Sequence, residues 1–345
     1  MNENRISLLD LTEEELKQEL ISMGEKPFRA KQIMLWLSMC VPFDEMSNLP
    51  KALREKLKER YTEGYPEVET ELISRDGTRK YLLKLSDGSL IETVLMDYSY
   101  GKTICISTQV GCPMGCAFCA SGIGGLKRQL SSGEMLGEVL KVNSLMGEGR
   151  NIRNIVLMGT GEPLLNYENV VKFLRCIHSE NSLGIAYRNI SLSTCGIEPA
   201  IRRFTEEGIP LTLCLSLHSA IPEKRRKIMP VEERWSLTDS VKAMSAYMEK
   251  TGRRFILEYI LLKDFNMGKE DADALKELLE GKTAHINLIP MNGDTGPYSA
   301  PSEEEISRFE KMLETRGLSF TRRRSLGQDI EGACGQLRAK YIKED

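Results

Sequence analysis

The stretch Thr103-Ile-Cys105-Ile-Ser107-Thr-Gln-Val-Gly-Cys112-Pro-Met-Gly-Cys116-Ala-Phe-Cys119 decides how the rest of the chain is read. It opens on a short apolar run of the kind that forms a buried strand, and it ends with three cysteines inside eight residues. The cysteines therefore fall on the loop that leaves a strand at its carboxyl end. In parallel α/β sheets that is where ligands are gathered.

From this strand onward the sequence alternates. Further strands are expected over 154–158, 189–194, 211–216, 254–261, 285–289 and 319–323. Helices are expected over 134–145, 167–178, 199–206, 237–250, 270–279 and 303–316. Repeated βα units with apolar strands predict a parallel sheet covered by helices. Six units are too few for a closed eight-fold barrel, so the expected fold is α/β, an open, partial (β/α)6 barrel. Ahead of it, residues 1–62 read as a small helical module. Thr12 with Glu15 forms a capping box, Gly24 supplies a stop, and Pro27 and Pro50 open first turns. Residues 63–97 read as a β-meander with apolar runs 68–73, 80–85 and 90–96, joined by Asp76-Gly77 and Asp87-Gly88. The expected division is 1–62 accessory module, 63–97 meander, 98–330 barrel and 331–345 carboxyl-terminal segment.

Composition bounds the answer without choosing it. The 345 residues are 41% hydrophobic and 28% charged with a net charge of −3, which is ordinary for a globular protein. No apolar run approaches the ~18–20 residues that span a bilayer. Met1-Asn2-Glu3-Asn4-Arg5 lacks the marks of a secretory signal, so a cytoplasmic location is expected. Nine cysteines in that reducing compartment do not make a disulfide framework. Basic clusters occur at Lys127-Arg128, Arg202-Arg203, Lys224-Arg225-Arg226-Lys227, Arg253-Arg254 and Arg322-Arg323-Arg324, and could grip phosphates if they converge.

Three thiolates on one loop can hold three irons of a [4Fe–4S] cube and leave the fourth open for an exchangeable ligand. Zinc would call for a fourth protein ligand, and no second cysteine pair follows; His178, the next histidine, is far along the chain.

Cys-x3-Cys-x2-Cys with Phe118 before the last cysteine resembles the radical S-adenosylmethionine (SAM) superfamily. The resemblance implies one [4Fe–4S] cluster per chain on Cys112, Cys116 and Cys119, with SAM on the open iron. Gly161-Glu162-Pro163 is similar to the superfamily's loop for the SAM amino group, which marks Gly161 and Glu162. Ser193, Ser216-Leu217-His218 and Asn292 stand at strand ends and are implied as further SAM contacts.

Four other segments narrow the resemblance: Gly327-Gln-Asp-Ile-Glu-Gly-Ala-Cys334-Gly-Gln-Leu337, Cys105 spaced from Cys112, Ile91-Glu92-Thr93-Val94, and His285-Ile-Asn-Leu-Ile-Pro290. Together they resemble the RlmN/Cfr group of radical SAM RNA methyltransferases. What this implies is specific. Cys334 is methylated by one SAM, and a second SAM yields the radical that activates the S-methyl group, two SAM per turnover. Glu92 is the proton acceptor, and Cys105 the resolving thiol, through a transient disulfide with Cys334. One branch of the group methylates C2 of an adenosine in 23S rRNA, at the peptidyl-transferase centre, and in a tRNA anticodon loop; Pro163-Leu164 and Pro290 resemble that branch. The alternatives left open are C8 methylation of the same rRNA base and, from another class, a radical-generating activase of a partner protein. The implied partners are RNA (23S rRNA and tRNA) and a reducing donor such as flavodoxin or ferredoxin, with no membrane and a monomeric chain.

Overall fold

The computed structural model describes residues 5–149, 151–291, 297–324 and 326–330. The amino-terminal module holds β1 (Ile6–Ser7), α1 (Glu13–Ser22), α2 (Arg29–Ser38), α3 (Lys51–Arg60) and β2 (Tyr61–Thr62). The start and stop of α1 are local chemistry. Thr12 Oγ1 accepts the Glu15 amide at 3.2 Å while Glu15 accepts the Thr12 amide at 2.6 Å. At the other end Gly24 takes φ +73°, so its amide reaches Ile21 O at 3.0 Å and the Glu25 amide reaches Leu20 O at 2.8 Å. Leu16, Leu20, Ile33, Leu37, Leu53 and Leu57 are buried between the three helices.

The meander is β3 (Glu67–Ile73), β4 (Arg79–Lys84) and β5 (Leu90–Tyr98). Both Asp-Gly pairs turn the chain, but only the glycines adopt positive φ, +86° at Gly77 and +80° at Gly88. The aspartates instead accept the amide two residues on, from Thr78 and from Ser89, each at 2.9 Å.

The alternating part runs β6 (Gly101–Cys105), β7 (Gln109–Gly111), β8 (Leu126–Gln129), α4 (Ser132–Ser144), β9 (Ile152–Leu157), α5 (Tyr167–His178) and β10 (Ile190–Thr194). It continues α6 (Glu198–Glu207), β11 (Thr212–Ser216), α7 (Pro222–Ile228), α8 (Leu237–Thr251), β12 (Phe255–Leu261), α9 (Lys269–Leu278), β13 (Ala284–Pro290), α10 (Glu303–Glu314) and β14 (Phe320–Arg322). One sheet has the order β14-β13-β12-β11-β10-β9-β6-β5-β4-β3. Its members from β6 to β14 are parallel, and the meander continues it antiparallel through β5 against β6. The α/β architecture and its six βα units are those expected; the β7–β8 ribbon, which brackets the cysteine loop, is not. Sequence periodicity gives no warning of strands so short.

The sheet must be strongly curled. The Arg323 amide bonds Leu288 O at 2.8 Å on one side, and four residues later the Gly327 amide bonds Asp76 at 2.8 Å in the β3–β4 turn on the other. Four residues reach at most about 14 Å. In a flat sheet about eight inter-strand steps of ~4.8 Å would hold those places roughly 38 Å apart. The sheet is therefore a partial barrel whose open side is bridged by the strap 323–330. Asp329 strengthens the strap by accepting from Ser74 Oγ and from the Arg75 amide.

The helical module docks on the barrel at α4. Asp10 accepts the Gly133 amide at 2.7 Å, and a Cβ at 133 would lie 2.6 Å from Asp10 N. Only glycine permits that approach. Among the described residues no helix is long and apolar enough to cross a membrane.

Burial raises the Asp76 pKa, but the amides of Gly327 and Thr78 outweigh it and hold the carboxyl at about 2. A depressed carboxylate stabilises fully above the ordinary aspartate value of about 3.9, and the effect is lost as pH falls through the folded value. Protection of the Gly327 amide from hydrogen exchange should therefore persist at pH 4 and collapse near pH 2. Asp76→Ala should make that amide exchange at least about tenfold faster at neutral pH; unchanged exchange would show that the strap is held elsewhere.

Candidate cofactor cavity and catalytic residues

The carboxyl ends of the parallel strands open into one cavity of about 310 Å³. Its wall includes Cys112, Cys116 and Cys119, Gly161 and Glu162 after β9, Ser193 at the end of β10, Ser216 and His218 at and beyond β11, and Glu258 on β12. Most of the SAM-contact residues expected from the sequence are thus gathered around one space. Leu217 is the exception. Its side chain is fully buried in the main core, and only its backbone serves the site: its amide donates to Glu258 O at 3.0 Å. Asn292 and Cys334 lie outside the described residues.

The cysteine loop is positioned from both sides. Gly111 takes φ +79°, and a Cβ there would stand 2.0 Å from Gly125 O, so the β7–β8 ribbon closes only around glycine. On the other side Met114, Cys116 and Phe118 pack on a small apolar cluster that includes Ile228 and Met229, and the Ala117 amide donates to Ile228 O at 2.9 Å. Burial, with the nearby Cys119 and Glu162 charges, outweighs the Met114 amide and pushes the Cys112 thiol up to about 11. Burial and the charges of Cys119 and Cys112 push Cys116 further. Thiols crowded in this way need a cation to become thiolates together.

Among the described residues no three His, Cys, Asp or Glu side chains converge on one point that could hold a single metal ion. The three thiols line one cavity.

The Gly-Glu-Pro loop is threaded against the end of β6. Thr160 O accepts the amides of Thr108 (2.9 Å) and Gln109 (3.1 Å), and Gly161 at φ +120° leaves no room for a Cβ, which would lie 2.6 Å from Thr108 Oγ1. Glu162 is buried, with one oxygen taking the Leu164 amide at 3.0 Å and the other the Cys195 amide at 2.8 Å. Burial raises its pKa, and those amides only partly offset it. Cys195 lines the cavity as well, and its thiol also bonds Glu162.

His218 has an unusual backbone, φ +56°, locked by Asn266, whose amide donates to His218 O at 2.8 Å. Its Nδ1 accepts the Ile260 amide at 3.0 Å, so the proton of the neutral ring sits on Nε2. Burial, then the nearby Arg225 charge, lower its pKa to about 3. The ring also meets Phe118 edge to face, centroids 4.7 Å apart. Neutral His218 thus offers one fixed N–H donor. Arg225 is fully buried and donates to Leu217 O (3.1 Å), Cys195 O (2.7 Å) and Ser216 O (3.3 Å), with Glu232 as its counter-ion.

Glu92 and Cys105 occupy the adjoining wall. On β5, Val94, Met96 and Tyr98 line the cavity, and Glu92 shares their face by strand alternation. Cys105 pairs in register with Val94, which puts it on that face as well. Glu92 is buried: β5 lies between β4 and β6, the residue is 5% exposed, and it pairs at 3.5 Å with Lys80, itself 1% exposed. Ser107 Oγ joins this wall to the Gly-Glu-Pro loop, donating to Glu92 O at 2.9 Å and accepting the Thr160 amide at 3.2 Å.

The basic clusters do not act as units. Arg128 is held by Asp87 and Glu134, Arg202 by Glu198, Arg203 by Glu168, Lys224 by Glu270 and Asp271, and Arg322 by Glu303 and Glu310. Lys127, Arg226, Lys227 and Arg324 are exposed and make no ion pair among the described residues. Sequence reasoning missed Lys80, Arg225 and Glu258. The only signal was a charge inside an apolar run, as in Phe255–Leu261.

Comparison with known proteins agrees with this geometry. Residues 106–287 match the radical SAM superfamily, and residues 6–62 match the ribosomal RNA large subunit methyltransferase N-terminal domain. A "Probable dual-specificity RNA methyltransferase RlmN" of Clostridium beijerinckii is 48% identical over 97% of this chain and 96% of its own. The protein of that name from Clostridioides difficile is 46% identical over 99% of this chain and 100% of its own. The crystal structure of a radical SAM methyltransferase from Sphaerobacter thermophilus superposes with a TM-score of 0.93 at 40% identity, over 97% of this chain and 99% of that one. With near-complete coverage at this identity, the chain belongs to the radical SAM superfamily and, within it, to the RlmN family of RNA methyltransferases.

Proposed function

We propose that the protein methylates C2 of an adenosine in 23S rRNA, at the peptidyl-transferase centre, and in a tRNA anticodon loop, through a methylated Cys334. Family membership already makes it a SAM-dependent RNA methyltransferase with a [4Fe–4S] cluster. The observation that carries the finer reading is that the cavity wall holding the three cysteines and the Gly-Glu-Pro loop continues onto the strand face of Glu92 and Cys105.

Cys112, Cys116 and Cys119 would hold three irons of the single cluster. The bound cluster supplies the electron that cleaves SAM to a 5′-deoxyadenosyl radical. Glu162, with Gly161, faces the amino-acid end of SAM, where a carboxylate fixed by two amides suits an ammonium. Ser193, Ser216 and the Nε2–H of His218 line the rest of the SAM site, with Asn292 and the Leu217 backbone contributing. The Cys334 thiolate takes a methyl group from one SAM by polar displacement. Its S-methyl group then loses a hydrogen atom to the radical formed from the second, and the methylene carbon adds to C2. Glu92 accepts the C2 proton, the adduct's unpaired electron would return to the cluster that supplied it, and buried Lys80 supplies the counter-charge such a carboxylate requires. Cys105 attacks the Cys334 sulfur, the sulfur–carbon bond breaks with its electron pair going to the methylene carbon, and that carbon takes a proton to become the methyl group of the released base. The resulting disulfide takes two electrons from a reductant before the next cycle.

The adenosine must be unstacked to reach this wall, which suits a loop or flipped base. Residues 1–62 and the exposed Lys127, Arg226, Lys227 and Arg324 are the RNA-gripping surface of this reading. Flavodoxin or ferredoxin is the electron donor, and the enzyme works as a cytoplasmic monomer.

Nucleosides from RNA incubated anaerobically with the reconstituted enzyme and SAM should contain 2-methyladenosine by mass spectrometry; 8-methyladenosine would overturn the assignment. Cys334→Ala should still release 5′-deoxyadenosine but transfer no methyl group. Cys105→Ala should accumulate RNA covalently bound to protein, visible as a shifted band. Lys80→Met leaves Glu92 buried without this counter-ion and should cost about 3 kcal/mol of stability in chemical denaturation.

A further inference from the structure

We infer that Tyr98 and Tyr100, on the β5–β6 hairpin, are a stacking platform for an unpaired base of the substrate RNA. That base lies a few nucleotides from the reacting adenosine. The inference rests on the reading above, in which RNA meets the wall of Glu92 and Cys105.

Tyr98 and Gly101 are register partners, so Ser99 and Tyr100 alone make the turn, with Gly101 at φ +122°. Tight hairpin turns are usually built from small residues. Here Tyr100, at 63%, is the most exposed large hydrophobic side chain among the described residues. It is not loose. Its ring lies parallel to that of Tyr98, with centroids 4.9 Å apart and 7° between the planes. Tyr98 is held in turn by its hydroxyl, which donates to Met96 Sδ at 3.5 Å. One face of the Tyr100 ring is taken by Tyr98, and at that exposure the opposite face is open to solvent. A rigid aromatic face gives up little freedom when a flat ring settles on it.

Two features select RNA as the occupant. The first is continuity with the site. Glu92, Val94, Met96 and Tyr98 alternate along one face of β5, and the last three line the cavity. At ~3.3 Å per residue, Tyr98 stands about 20 Å from Glu92 along the strand. That is too far for the reacting base and suits another base of the same RNA strand. The second feature is charge. The strap brings Arg323 and exposed Arg324 to the cavity wall, and Arg323 is close enough for its charge to act on Tyr100. The carboxylates nearby are already engaged, Asp97 by Lys102 at 2.6 Å and Asp329 by Ser74 and the Arg75 amide. An open aromatic face beside guanidinium groups fits a base and its phosphate.

The test uses the anaerobically reconstituted holoenzyme and a tRNA anticodon stem-loop. The RNA carries 2-aminopurine, or an abasic residue, at each unpaired position in turn. Fluorescence and RNA affinity are measured for wild type, Tyr100→Phe and Tyr100→Ala, with melting temperature and SAM affinity for each. In wild type, one position other than the target should be quenched on binding. Removing that base should weaken binding about 5- to 150-fold, the range for one base stacked on an aromatic ring. Tyr100→Phe should keep both effects. Tyr100→Ala should lose the quenching, bind intact RNA more weakly by a similar factor, and be indifferent to the missing base. Losses that multiply instead, Tyr100→Phe as weak as Tyr100→Ala, or Tyr100→Ala that binds RNA like wild type overturn the platform. Should Tyr100→Ala not fold, wild type decides alone, since quenching at no position beyond the target overturns it. Wild type that binds SAM but no RNA removes the reading beneath the platform and the platform with it, a result distinct from all of these.

Discussion

A fully buried guanidinium holds together the part of the molecule on which the chemistry depends. Parallel strands that end in a cavity leave carbonyls with no next strand residue to satisfy them. Arg225, on α7, reaches back to three of these, on Cys195, Ser216 and Leu217, and carries Glu232 as its counter-ion. Burying that pair is costly in desolvation, and the return is geometric: the ends of β10 and β11 are fixed relative to each other. Cys195 then orients Glu162, and the Leu217–His218 turn presents its donor to the cavity. The same charge favours neutral His218 and acts on Cys116. Stability and site geometry are here one set of contacts.

Glycine supplies the second constraint. Gly111 and Gly161 are both at positive φ, and both sit where an added Cβ would enter a neighbour. One lets the ribbon close around the cysteine loop, and the other lets the Gly-Glu-Pro loop lie on the end of β6. Neither position contributes a functional group, yet each decides where functional groups point.

The parts of this arrangement that the sequence discloses are the local ones. Capping boxes, strand alternation and the cysteine spacing are fixed by residues a few positions apart, and Ser193, Ser216 and His218 are implied by the family resemblance at strand ends that the sequence already marks. The rest depends on partners distant in the chain. Glu92 looks like an edge charge until β5 is seen to pair with β6, which buries it against Lys80. Lys224-Arg225-Arg226-Lys227 looks like one basic patch, but helical geometry turns Arg225 inward, gives Lys224 to Asp271 and leaves only Arg226 and Lys227 to solvent. Leu217 is adjacent to two cavity residues and, by the same alternation, faces the core. Glu258 requires knowing that β11 and β12 are neighbours.

The seam between the first and last thirds of the chain carries a mechanical consequence. A closed barrel shares its load among continuous ladders, whereas this ring is completed by Asp76 and Asp329 gripping a turn and a strap. The strap is thus tied to the β3–β4 turn by side-chain hydrogen bonds and not by strand pairing, so the two edges of the sheet are joined without a shared ladder.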